Sequence, residues 1–122
     1  MTNDTALKQH YDTHGYVVVP SLFDASEVQL LRNTTDQIIE SARGKSESDS
    51  IHDLEDSHNP KDAPRVRRIK DPVQQFDTYG TLARNEKLLS ILRTLLGTHV
   101  RFHSSKINIK SAAYGAAVEW HQ

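Results

Sequence analysis

Cysteine is absent from these 122 residues. Disulfide frameworks and thiolate metal sites are therefore excluded. The absence fits a reducing compartment, and a cytoplasmic location is expected. An excess of charge of either sign is also missing: 15 Lys and Arg stand against 16 Asp and Glu. This balance gives no electrostatic ground for a nucleic-acid or membrane partner, and neither is expected. No apolar run reaches the roughly 18 residues that a spanning helix needs. The start, Met1-Thr2-Asn3-Asp4, is polar and acidic, unlike a signal peptide. What remains is a somewhat polar chain, 36% hydrophobic with a mean hydropathy of -0.63. At this length it is one domain or a piece of one, able to bury roughly two-thirds of its unfolded surface.

Helix and strand signals surround one loose middle. Residues 5–14 carry Leu7 and Tyr11 at helical spacing, with Gly15 as a stop. The run Tyr16-Val17-Val18-Val19, closed by Pro20, predicts a short buried strand. Asp24 followed by Glu27 forms a capping-box pattern. Val28, Leu31, Thr35, Ile38, Ile39 and Ala42 then keep one helical face apolar up to Gly44. Residues 45–64 are rich in Ser, Asp and Glu, hold two of the four prolines and lack apolar periodicity. A mobile surface loop near a site entrance is expected there. Residues 65–70 predict a strand limited by Pro72, and 82–96 predict a leucine-rich helix ended by Gly97. Residues 100–103 and 106–110 alternate apolar and polar, as two strands or one bent strand, and 118–121 begin another.

The residues with chemical potential are unequal. Glu119-Trp120-His121-Gln122 places a His one spacer before position 123. His and carboxylate at that spacing on a strand point to one side, because side chains alternate with period two. They are two members of the facial triad that holds non-haem Fe(II). On the tetrapeptide alone, a hydrogen-bonded structural His is the simpler reading, and Trp120 is expected to pack in the core. Lys106 and Lys110 share a strand face with Asn108, and two ammonium groups on one interior face are costly unless an anion joins them. His10 and His14 share a helix face without a visible third ligand. His52 and His58 are expected to be solvated in the loop, and His103 to be a satisfied core residue. No Gly-rich phosphate loop, H-E-x-x-H or Ser-His-Asp order occurs.

Three stretches together resemble the phytanoyl-CoA dioxygenase family of Fe(II)/2-oxoglutarate oxygenases. The first is 11–20, Tyr-Asp-Thr-His-Gly-Tyr-Val-Val-Val-Pro, followed by Leu22-Phe23. The second is Lys106-Ile107-Asn108-Ile109-Lys110. The third is Glu119-Trp120-His121-Gln122, which matches the family's W-H-x-D as far as it goes. The resemblance implies an α+β fold, with N-terminal helices packed on part of a double-stranded β-helix, or jelly-roll. Residues 1–122 would form the N-terminal portion of a single oxygenase domain, cut before the sheet is complete. It implies Fe(II) held by His121, and 2-oxoglutarate contacted by Lys70 and Ser105; from the strand face they share, Lys106 or Lys110 is expected to contact the cosubstrate or the substrate. The family's Asp, second metal-binding His and 2-oxoglutarate-binding Arg would lie past Gln122. The whole protein would then oxidise a small organic substrate with O2, while the 122-residue chain alone is expected to be inactive and prone to self-association. The alternative is a non-catalytic, cupin-like interaction domain.

Overall fold

The computed structural model describes residues 3–121. Its elements are α1 (Asp4–His14), α2 (Ala25–Glu40), β1 (His52–Leu54), β2 (Val66–Lys70), α3 (Pro72–Gln75), α4 (Asp77–Ala83), α5 (Glu86–Leu96) and β3 (Lys106–Asn108). The three strands form one antiparallel sheet in the order β1-β2-β3. This is a mixed helix and strand architecture with a small open sheet. Among the described residues, no helix is long and apolar enough to cross a membrane.

Local chemistry sets the helix ends. Asn3 caps α1, its side chain accepting from the Thr5 and Ala6 N–H groups, and Gly15 closes the helix at φ 79, where no Cβ has to be accommodated. The capping box of α2 forms in both directions: Asp24 Oδ1 accepts from Glu27 N at 2.8 Å, and Asp24 N donates to Glu27 Oε2 at 2.8 Å. The same Glu27 Oε2 receives the Lys87 ammonium at 2.8 Å, tying the start of α2 to the start of α5.

The core is small and one-sided. Ile38 and Ala42, at the end of α2 and just after it, pack with Leu54 of β1 and with Val66 and Ile69 of β2. Ile107, Ile109, Phe76 and Tyr79 close around them. Ile69 is fully buried opposite Ile107, and burying such a side chain contributes about 1.5–3 kcal/mol. Inward Val66 and inward Ile69 are three residues apart, which a regular strand would not allow. The pairing accommodates this with a register break: Asp53 faces Arg68 while Leu54 faces Val66, leaving Arg67 as the extra residue of a bulge.

Several expectations are corrected. Residues 16–19 form no strand, and Tyr16 and Val18 are exposed. Their β-branched side chains favour a strand only where a neighbouring strand pairs with them. The helix expected over 82–96 is split, because Asn85 adopts ψ 123 and its side chain caps the Lys87 and Leu88 N–H groups. Residues 100–103 and 118–121 are not strands, and Trp120 is fully exposed rather than packed in the core. His103 is also exposed, its ring beside the Ser104 hydroxyl.

The segment 45–64, expected to be a mobile surface loop near a site entrance, contains β1. Two histidines organise it from within. His52 is buried, with Nδ1 3.0 Å from Asp49 Oδ1 and Nε2 2.8 Å from the Ile38 carbonyl. His58 accepts the Arg65 N–H at Nδ1 (3.0 Å), so its Nε2–H donates to the Lys45 carbonyl at 2.8 Å. Polar side chains therefore anchor a stretch that has few apolar ones.

Asp49 is the hub of that stretch. Its Oδ1 accepts from the backbone N–H groups of His52 (2.7 Å) and Ile51 (2.8 Å), and its Oδ2 lies 3.0 Å from the Lys45 ammonium. Partial burial pushes the carboxyl up. The His52 N–H, Lys45, the Ile51 N–H and the His52 ring together outweigh it and hold the group well below the usual carboxylate range. A depressed folded-state pKa stabilises fully above the unfolded value near 4 and is lost as pH falls below it. Asp49→Asn should lower stability by about 1–2 kcal/mol at pH 7. It should also flatten the acid limb of a urea-midpoint-against-pH curve below about pH 4. An unchanged acid limb would show that Asp49 does not hold this segment.

Candidate functional site

With Leu54, Ile69, Ile107 and Ile109 turned to the core, the period of two sends their neighbours to the other face of the sheet. That face carries Asp53 from β1, Arg68 and Lys70 from β2, and Lys106 and Asn108 from β3, with Lys110 just past it. Lys106, Asn108 and Lys110 are exposed. Asp53 is the acidic group of the network, 2.9 Å from the Lys70 ammonium and 3.3 Å from Arg68. Arg68 Nε also donates to Asn108 Oδ1 at 3.2 Å, linking the three strands in one polar row.

Lys70 and Lys106 are direct cross-strand partners. Like charges in that arrangement repel. Lys70 is steadied from the β1 side, where its ammonium also donates to the Asp49 carbonyl at 2.7 Å. Lys106 has no carboxylate within ion-pair distance among the described residues. The pair thus forms an under-neutralised cationic position, suited to a small carboxylate.

Ser105 lies one residue before Lys106 and turns the other way. Its hydroxyl accepts from the Val73 N–H at 3.2 Å and its carbonyl from the Asp71 N–H at 3.1 Å, fastening the start of β3 to the start of α3. Asp71 makes this turn at φ 42, a left-handed conformation that Asp tolerates better than most residues.

His121 is exposed, and its Nδ1 lies 2.8 Å from the Glu119 carbonyl. That bond places the ring proton on Nδ1 and leaves the Nε2 lone pair outward, the arrangement of a metal-ligating imidazole. No group of three His, Asp or Glu side chains suited to a metal forms among the described residues. Gln122 lies outside the described residues. The His10 and His14 rings lie tilted against each other with centroids 4.4 Å apart, and His10 meets Tyr16 edge-on at 5.3 Å, so their shared face is occupied by aromatic contacts.

Sequence reasoning singled out Lys70 and Lys106 but missed Asp53, which pairs with Lys70, and Arg68, which shares that carboxylate. The alternation His52-Asp53-Leu54, buried on either side of an outward Asp, was the available signal.

An open cationic sheet face backed by helices defines an α+β unit with the makings of an anion site. The chain belongs to the phytanoyl-CoA dioxygenase (PhyH) family, whose model matches residues 11–122. It is similar to a probable alpha-ketoglutarate-dependent hypophosphite dioxygenase of Stutzerimonas stutzeri, with 35% identity over 115 residues, 94% of this chain and 40% of that protein. It is also similar to an ectoine dioxygenase of Sphingopyxis alaskensis, with 27% identity over 124 residues, 98% of this chain and 38% of that protein. An ectoine dioxygenase of Streptomyces avermitilis is 24% identical over 113 residues, 93% of this chain and 36% of that protein. The chain therefore spans less than half the length of the curated relatives it matches. No solved structure gives a significant match.

The Lys70–Lys106 repulsion is directly testable. Lys106→Gln should raise stability by about 0.2–1 kcal/mol at low ionic strength. The gain should vanish near 1 M salt, where screening acts within about 3 Å. Urea unfolding at the two salt concentrations checks this. A neutral or destabilising Lys106→Gln at low salt would mean that the two ammonium groups do not sense each other.

Proposed function

We propose that this chain is the N-terminal portion of the catalytic domain of an Fe(II)- and 2-oxoglutarate-dependent dioxygenase that oxidises a small molecule. The observation that carries the cosubstrate assignment is the direct opposition of Lys70 and Lys106 on the uncovered sheet face. Membership of the PhyH family and the names of its relatives supply the reaction class. In this reading the three-stranded sheet is part of a jelly-roll that further strands of a longer polypeptide complete.

Each residue then has a defined task. Lys70 and Lys106 neutralise carboxylate oxygens of 2-oxoglutarate as point charges. Asp53 and the Asp49 carbonyl hold the Lys70 ammonium in place before the cosubstrate arrives. Ser105, turned to the other side, fixes the start of β3 against α3 and so holds Lys106 in register opposite Lys70. His121 provides one neutral imidazole nitrogen to Fe(II), with its tautomer set by the Glu119 carbonyl. Fe(II), when bound, supplies the O2 chemistry. The remaining ligands are the Asp, His and Arg that the family motif places after position 122.

The isolated 122-residue chain should form no succinate from 2-oxoglutarate with Fe(II) and ascorbate, because one imidazole cannot retain the metal. It should also sediment as more than a monomer, since Tyr16, Val18, Phe102, Val118 and Trp120 are exposed and β1 and β3 are open sheet edges. In a polypeptide that continues with the family's remaining ligands, His121→Ala should abolish turnover and sharply weaken Fe(II) binding. Lys70→Ala should raise the 2-oxoglutarate KM about tenfold or more, the loss of one charge-assisted contact. Near-normal turnover with His121→Ala would overturn the metal assignment. An unchanged 2-oxoglutarate KM with Lys70→Ala would make Lys70 a structural cation only.

A further inference from the structure

A small cavity of about 140 Å³ opens between the far ends of β2 and β3 and the segment 116–118. Arg67, Arg68 and Lys110 line it, with Asn108, Ile109 and Val118, and no carboxylate contributes to its wall. The register break explains the concentration of charge. On a regular strand Arg67 and Arg68 would point to opposite faces, whereas the bulge lets both side chains border one cavity.

The nearby acidic groups are committed elsewhere. Asp53 is shared between Arg68 and Lys70. Glu55 Oε1 accepts the Ala116 N–H at 3.2 Å. Arg67 has no carboxylate partner among the described residues, and Lys110 donates to the Ala116 carbonyl. Asn108 accepts from Arg68 through Oδ1, which leaves its amide protons as donors. The cavity is thus rich in donors, poor in acceptors and too small for a long acyl chain.

We infer that this cavity binds a small oxyanion beside the keto acid of the oxygenase proposed above. The inference rests on that functional reading. Along the strands, the Arg68–Asn108 pair lies two residues from the Lys70–Lys106 pair, a separation of about 7 Å. Two anions therefore fit side by side on one sheet face, the keto acid at Lys70 and Lys106 and the smaller oxyanion at Arg67, Arg68 and Lys110. Charge-assisted contacts from planar guanidinium groups suit an anion that presents several oxygens at once.

Titration of the 122-residue chain with inorganic phosphite, followed by calorimetry and by amide and side-chain NMR, tests the assignment. Saturable binding at one site is expected, with shifts at Arg67, Arg68 and Lys110. Arg67→Gln and Lys110→Gln should each weaken it about tenfold, the effect of losing one charge-assisted contact. Arg32→Gln, the same charge change on α2, should leave it unaltered, and excess 2-oxoglutarate should not displace it. Circular dichroism establishes that each variant is folded. Absence of saturable binding, or an equal loss with Arg32→Gln, would overturn the inference. Displacement by 2-oxoglutarate would overturn it too, by assigning the cavity to the cosubstrate. In each of these cases 2-oxoglutarate binding that depends on Lys70 would leave the broader functional reading standing.

Discussion

Burial of Ile69 is the constraint on which the rest of the molecule depends. Its side chain, fully enclosed against α2 and Ile107, fixes which face of the sheet is apolar. Strand geometry then sends Arg68 and Lys70 to the opposite face. A slip of one residue would trade a buried Ile, contributing about 1.5–3 kcal/mol, for buried cations. That exchange costs several kcal/mol for each unpaired charge, so the register is strongly specified. The cationic face is therefore a consequence of packing on its other side.

The sheet is short, and polar contacts carry much of what an apolar core usually carries. Asp49 and His58 bind backbone groups within 45–65, and the His52 ring ties β1 to the Ile38 carbonyl of α2. Asp53 then restrains Lys70 and Arg68 on the open face. The same strand thus anchors inward through His52 and orders the site outward through Asp53. In the jelly-roll that PhyH membership implies, this open face would be the one turned to the interior.

Much of the helical framework was legible in the sequence. Asp24 and Glu27 announced the start of α2, Gly15 the end of α1, and the Val66 and Ile69 contacts placed β2. These signals are local, so no distant partner is needed to interpret them. Strand signals at 16–19, 100–103 and 118–121 did not survive, because a strand exists only where another pairs with it. Asn85 was overlooked as a cap inside a leucine-rich helical pattern. The acidic stretch 45–64 was misread because its order comes from histidine and aspartate hydrogen bonds, which leave no apolar periodicity. At the site, Lys70 stood out through the family resemblance, and Lys106 through the strand face that it shares with Lys110. Arg67 could not be placed, since a bulge depends on how two strands align and not on either strand alone.

The central claim is that the uncovered face of β2 and β3 receives the keto acid. Titrating 2-oxoglutarate into the isotopically labelled 122-residue chain, with side-chain ammonium and backbone amide resonances observed, tests it most directly. The account predicts saturable shifts concentrated at Lys70, Lys106 and Asp53, all lost in Lys70→Ala. Shifts confined to the helices, or saturation unaffected by Lys70→Ala, would contradict it.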